Sequence, residues 1–438
     1  MTPIEIGIVS VSVMLVLIYC GIHVPFVLAL TSFVGVWMIR DNFQVAVYML
    51  SQAATQSISD YVFAVIPLFV LMGMLVSAAD LGRDSYYVAN RLLRKLPGGL
   101  GIATVAANTV FASITGVTIA SAAVFSRIAV PEMLRFGYHR RFAVGTVAGS
   151  SVLGMLIPPS ILLIIYAIIA EQSVGAMFLA GIGPGLLLAV MFALGIALVA
   201  IFFPKAMGGN VREMIEGDSS LTLREFIEKM GPTLVLVIAV LGGIYGGVFT
   251  PTEAGGVGAA LALVAALIKR KLTWRSLWSI LIETGYISSS ILFIVISATM
   301  YSRMLGISGL PTQISTLVSD LDASYLVILA IFVGIALILG TIIDSVSILL
   351  ITVPLFIPLL QPYDINLVWF GIIAIMATEI GLLTPPFGMS CYVVRSTLTD
   401  YKVSLEDVFL GAAPFALIML LVTIMLIAYP QIVLFFVY

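Results

Sequence analysis

The chain has 438 residues, 61% of them hydrophobic and only 10% charged, with a formal net charge of −2 and a mean hydropathy of +1.19. A soluble domain carries about 25% charged residues, so the bilayer is the solvent for most of this surface. The sequence offers no basic arm for nucleic acid, no phosphate-binding loop with its Lys, and no metal or nucleophile spacing, which leaves no basis for an enzyme.

About 20 apolar residues cross a hydrocarbon core of about 30 Å. The start, Met1-Thr2-Pro3-Ile4-Glu5, lacks the basic region of a cleaved leader. Spans are expected at 4–20 and 24–39, with Gly21-Ile22-His23-Val24-Pro25 between them as a turn or a kink. A span at 60–79 follows, then an amphipathic stretch over 83–95 suited to the inner membrane surface. Residues 101–125 carry Asn108, Ser113, Thr115, Gly116, Thr118 and Ser121, too polar for lipid. They predict a re-entrant hairpin of two half-helices, each of about ten residues or half the hydrocarbon thickness. Further spans fall at 143–168, 177–203, 232–249, 252–268, 281–304, 367–394 and 408–437. A second hairpin is expected over 326–360, too long for one helix and polar at Gly340, Thr341, Asp344, Ser345 and Ser347. Cys20 and Cys391 fit neither a disulfide framework nor a metal site and are expected to be buried thiols.

One short sequence occurs twice. Gly154-Met155-Leu156-Ile157-Pro158-Pro159 returns 227 positions later as Gly381-Leu382-Leu383-Thr384-Pro385-Pro386, and the same offset carries Pro131 onto Pro358. A Pro-Pro pair lacks two N–H donors and cannot continue a helix, so 143–168 and 367–394 are expected to be broken helices. Freed backbone groups are tolerated in a membrane only where they line a protein or water cavity. Matched breaks in two halves are the usual mark of a transporter's binding site. The halves divide as a first repeat over 1–203, a cytoplasmic linker over 204–230 holding Gly208-Gly209-Asn210 and Gly217-Asp218-Ser219-Ser220, and a second repeat over 231–438.

Charge orients them. Arg83, Arg91, Arg94, Lys95, Arg127, Arg135, Arg140 and Arg141 flank the first hairpin, whereas Asp320, Asp322 and Asp364 flank the second without any Lys or Arg. Lys and Arg concentrate in cytoplasmic loops, so the hairpins are expected to enter from opposite faces. Basic residues at 204–230 (Lys205, Arg212, Arg224, Lys229), 269–275 and 395–407 fall on the inner side by the same count. Each half then makes five crossings, an odd number, which inverts the second repeat relative to the first.

Helix ends meet at the tips and the breaks. An N-terminal end offers free N–H groups and favours a carboxylate, while a C-terminal end offers carbonyls and favours a cation. Ser113, Thr115, Gly116, Thr118, Gly149, Ser150, Ser151 and Ser160 collect at these places in the first half; Gly340, Thr341, Asp344, Ser345, Thr378, Gly381, Thr384 and Gly388 do so in the second. Such oxygen-rich sets without His or Cys suit sodium; small residues also permit close helix packing. Asp344 is the sharpest residue, since an acid at the membrane centre costs about 2.5–3.5 kcal/mol and needs a cation or hydrogen bonds. It is open to ion ligation, to substrate contact, to proton binding or to capping the tip. Glu379 lies near the second break, Arg303 is expected to snorkel, and Glu171 and Glu253 fall in outer loops.

With Phe111-Ala112-Ser113-Ile114-Thr115-Gly116, the two breaks and Leu339-Gly340-Thr341-Ile342-Ile343-Asp344-Ser345, essentially the whole chain resembles the large membrane subunit of tripartite ATP-independent periplasmic (TRAP) transporters. The resemblance implies an all-α polytopic protein of the bacterial or archaeal inner membrane, an inverted-repeat elevator-type transporter with two re-entrant hairpins and two broken helices. It implies sodium-coupled import of an organic acid, with no organic cofactor, alongside a small four-helix membrane subunit and a periplasmic substrate-binding protein. Carried over by motif, Ser113, Thr115, Gly154 and Ile157 would form a first sodium site, and Gly340, Gly381 and Thr384 a second. Thr115, Ser160 and Asp344 would face substrate. The chain departs from the family's usual Ser-Gly-Ser-Ser at the first tip, reading Thr115-Gly116-Val117-Thr118. The competing readings are a stand-alone sodium- or proton-coupled dicarboxylate carrier of the same superfold, a channel, and a non-transporting assembly subunit.

Overall fold

In the computed structural model the described residues, 1–207, 221–321 and 323–437, form helices and turns, with no strand among them. Arg212, the glycine-rich stretches of the predicted linker and Asp322 lie outside the described residues. Side-chain caps start many of the helices. Thr2 with Glu5, Thr222 with Glu225, Thr250 with Glu253 and Ser404 with Asp407 form reciprocal capping boxes that satisfy orphan N–H groups. Glu253 is thereby a structural residue.

Seven helices among the described residues are long and apolar enough to cross a membrane, and the pair Arg140–Leu156 with Ile161–Ile169, bent by 43°, supplies an eighth. Pro3–Tyr19, Val24–Arg40 and Leu367–Gly381 are shorter apolar helices. The first two pack together across a turn at Gly21 (φ +86°), so the N-terminal break is a loop and not a kink. Trp274–Ser308 runs for 35 residues, about 52 Å at 1.5 Å per residue, well beyond the predicted 281–304. The helix Phe43–Ser59 was not expected, because Gln44, Gln52, Thr55 and Gln56 break its apolar pattern. It supplies partners for Arg303, whose guanidinium donates to Gln52 Oε1 at 3.0 Å and also to Gln56. Cys391 is buried as expected, but Cys20 is exposed, because it caps the end of the first helix.

Both hairpins are present, with longer arms than the ten residues expected. The first pairs Gly99–Thr115 with Thr118–Arg135; the second pairs Tyr325–Gly340 with Ser345–Leu360. The polar tips mark only the centres of these elements, and helix continues through Pro131 and Pro358. The amphipathic stretch is the helix Leu81–Leu93, which buries Leu81, Tyr86, Val88 and Ala89 against the first hairpin.

The duplication extends to whole elements. The offset of 227 carries Leu81–Leu93 onto Leu310–Asp320, the first hairpin onto the second, Arg140–Leu156 onto Leu367–Gly381, Ile161–Ile169 onto Met389–Thr397 and Val174–Phe202 onto Leu405–Ala428, to within a few residues at each end. The repeats exchange contacts reciprocally. Ile161–Ile169 packs on Ser345–Leu360 of the second hairpin, while Met389–Thr397 packs on Thr118–Arg135 of the first. Val174–Phe202 packs on Leu367–Gly381, and Leu405–Ala428 on Arg140–Ser151. At the last crossing a Cβ on Gly145 would lie 2.1 Å from the Gly411 backbone, so only glycine allows this approach. The Tyr166 hydroxyl also crosses the boundary, donating to the Leu367 carbonyl at 2.6 Å.

Candidate functional site

Each hairpin tip sits on the Pro-Pro break of its own repeat. Gly116 closes the first arm in the left-handed region (φ +61°), and a Cβ there would stand 2.4 Å from the Pro159 carbonyl oxygen. The Ile161 N–H donates to the Gly116 carbonyl at 3.3 Å, and a Cβ on Gly154 would meet the Val117 backbone at 3.0 Å. At the second tip, Gly340 and Gly381 touch backbone to backbone: a Cβ on either would fall within 2.7 Å of the other's Cα. The Phe387 N–H donates to the Thr341 carbonyl at 3.1 Å. Pro158-Pro159 and Pro385-Pro386 are both cis.

Three of the four residues implied for the first sodium site fall into register with the second set, while Thr115 falls onto Ile342. The offset of 227 carries Ser113 onto Gly340, Gly154 onto Gly381 and Ile157 onto Thr384. Each trio surrounds the C-terminal end of a hairpin arm and the end of a broken half-helix, where the last carbonyls have no intrahelical partner. The side-chain hydroxyls are engaged within their own turns. Ser113 donates to Val110 O at 2.7 Å, Thr115 to Phe111 O at 3.0 Å, and Thr384 to Ile380 O and Gly381 O, both at 2.9 Å. A hydroxyl that donates keeps its lone pairs, so all three retain acceptor capacity toward a cation.

The residues implied as facing substrate do not share one set of contacts. Thr115 lies at the first tip. Ser160 is buried and caps Ile161–Ile169, donating to Met155 O at 2.5 Å and accepting from the Leu163 N–H at 3.4 Å. Asp344 is half-buried and caps Ser345–Leu360, accepting from Ser347 N at 3.0 Å and Ser347 Oγ at 2.6 Å. Of the four roles open to Asp344, the cap is the one these contacts display.

Glu379 is the residue whose place the sequence left undefined. Its carboxyl is buried, 1% exposed, and accepts from Thr118 Oγ1 at 2.9 Å and from Ser345 Oγ at 2.8 Å, one donor on each oxygen. Thr118 and Ser345 are themselves 227 positions apart and open the second arms of the two hairpins. An acid two residues before the glycine of a broken helix, inside an apolar run, was the available signal.

Reciprocal packing, paired tips and paired breaks define a duplicated membrane transporter core. Comparison with known proteins agrees. The family described as the tripartite ATP-independent periplasmic transporter DctM component matches residues 11–432. The C4-dicarboxylate TRAP transporter large permease protein DctM of Pseudomonas aeruginosa is 34% identical over 340 residues, 77% of each chain. The 2,3-diketo-L-gulonate TRAP transporter large permease protein YiaN of Escherichia coli is 30% identical over 389 residues, 88% of this chain and 89% of that one. The solved YdaH transporter of Alcanivorax borkumensis shares the fold, with a TM-score of 0.61 over 90% of each chain at 15% identity. The chain belongs to the DctM family of TRAP transporter large permeases and is a multi-pass inner-membrane protein.

Proposed function

We propose that this chain imports an organic acid by coupling it to a sodium gradient, through an elevator-type movement of its hairpins and broken helices. The acid is handed over by a periplasmic substrate-binding protein, and a small four-helix membrane subunit accompanies the permease. The observation that carries this reading is the registration of Ser113, Gly154 and Ile157 with Gly340, Gly381 and Thr384 at two tip-on-break junctions. Two equivalent clusters of backbone carbonyls and hydroxyls suit two hard cations, since carbonyl oxygens can replace a hydration shell. The carboxylate class of the cargo is supported by the names of the relatives, which transport C4-dicarboxylates and 2,3-diketo-L-gulonate. Thr115, Ser160 and Asp344 are proposed to face that cargo.

Proteoliposomes holding the permease, the small subunit and the loaded binding protein should take up substrate only with sodium outside and without ATP. Equal uptake in sodium-free buffer at the same membrane potential would reject sodium coupling. Opposite entry of the hairpins is tested with single cysteines near Arg94 and Asp320, which an impermeant thiol reagent should label from opposite sides. Labelling from one side only would refute the inverted arrangement.

A further inference from the structure

The carboxylate of Glu379 lies between the two repeats and belongs to neither of the paired ion-ligand sets. Its counterpart at the same offset is Val152, so only one of the two broken helices carries an acid here. The two arm starts that it touches are otherwise unequal. Ser345–Leu360 has its own side-chain cap in Asp344, whereas Val117, before Thr118–Arg135, provides none. Glu379 reaches across the repeat boundary and accepts from the hydroxyl of Thr118, the first residue of the uncapped arm. With its other oxygen it takes the equivalent hydroxyl of its own repeat. Burying a carboxyl costs free energy unless it is hydrogen-bonded, so packing alone does not explain one at this point.

We infer that Glu379 is a positioning residue that clamps the second arms of both hairpins to the second broken helix, making the two tip-on-break junctions one mechanical unit. The consequence for transport rests on the sodium reading above: a cation bound at one junction steadies the other. The bonds involved are short in reach and specific. Thr118 ties the first hairpin to the clamp, Ser345 ties the second, and each can be cut alone.

The test is amide hydrogen exchange on the full-length chain in lipid nanodiscs with its small subunit, comparing Glu379→Leu, Glu379→Gln, Thr118→Val and Ser345→Ala. Cutting these buried hydrogen bonds should speed local exchange about tenfold. Glu379→Leu should do so at 119–123 and 346–350 together, leaving Pro251–Ile268 unchanged. Thr118→Val should loosen only the first of these segments and Ser345→Ala only the second. Glu379→Gln keeps one acceptor oxygen and gains an amide that either hydroxyl can accept from, so it should restore most of the protection. Loosening of one hairpin alone in Glu379→Leu, or of every helix equally, would overturn the clamp. In sodium-titrated uptake, Glu379→Leu should lower the Hill coefficient toward one and Glu379→Gln should recover it; an unchanged coefficient in Glu379→Leu overturns the coupling. Should the wild type transport without sodium, the functional reading fails, and the exchange data still decide the clamp.

Discussion

The two breaks share their chemistry but not their surroundings. Every residue from 153 to 160 is buried, Pro158 and Pro159 included, whereas Thr384 is half-buried and Pro385, Pro386 and Phe387 are exposed. The helix beside the first break explains part of this. On Val174–Phe202, a Cβ at Gly181 would lie 2.6 Å from the Leu156 carbonyl oxygen, and one at Gly185 would lie 2.6 Å from the Ile157 side chain. The corresponding positions on Leu405–Ala428 are Val408 and Ala412, whose side chains forbid such an approach. A duplicated motif therefore does not have a duplicated environment. The comparison teaches that the break itself is repeated in this chain while the exposure of its residues is set separately for each copy.

The largest effect is expected at the second junction. Gly381→Val places side-chain atoms where the Gly340 backbone already stands, at 2.5 Å from a Cβ, and neither backbone can withdraw without opening the hairpin. Uptake should vanish and the melting temperature should fall, since forced overpacking costs about 1–3 kcal/mol or more. Gly154→Ala, whose Cβ faces the Val117 backbone at 3.0 Å, should be the milder change. Equal losses would show that the two junctions are equally tight.

Next comes Asp344→Asn. Asparagine caps a helix as well as aspartate does, so the bond from the Ser347 N–H at 3.0 Å survives, while the charge and the acceptor for the Ser347 hydroxyl are removed. Transport should be abolished with an unchanged thermal melt. Normal transport in this variant would make Asp344 a structural cap alone, the counterpart that the first tip lacks at Val117.

Access itself is tested by thiol labelling. Phe387 and Ser160 occupy equivalent positions, 227 apart. A cysteine at 387 should react with a soluble maleimide about a hundredfold faster than one at 160, which must await local opening of a fully packed segment. Similar rates would erase the distinction between an open and a closed break. The smallest effect is expected for Thr384→Ala, which removes one hydroxyl and leaves the backbone carbonyls. A shift of a few-fold in the sodium concentration for half-maximal uptake is consistent with a hydrogen-bonding group worth about 0.5–1.5 kcal/mol.

The tips and breaks were legible because their causes are local. A Pro-Pro pair ends a helix wherever it stands, and Gly116 and Gly340 sit where backbones touch. The offset of 227 was visible for the same reason, and the polarity of the tips located both hairpins. Properties that depend on a distant neighbour were not legible. Phe43–Ser59 hid behind its glutamines until Arg303 was seen to bind two of them. The arm lengths escaped a count that followed polarity, because helix continues where the side chains become apolar or charged again. Glu379 was noticed as an acid in the wrong place, yet its two partners lie 261 and 34 positions away, and nothing local in the sequence ties it to either. The reciprocal exchange between repeats is likewise tertiary.

That exchange bears on how the protein is made. The first hairpin is synthesised early, but Met389–Thr397 and Glu379, which complete the surroundings of its second arm, emerge more than two hundred residues later. At about 5–20 residues per second the wait is about ten to fifty seconds. Throughout it the start of the second arm, Thr118 included, lacks its designated acceptor, and lipid offers none. The contacts between the repeats are therefore expected to form only after the second half has been synthesised. A ribosome stalled between residues 204 and 230 would leave the first hairpin without those later contacts.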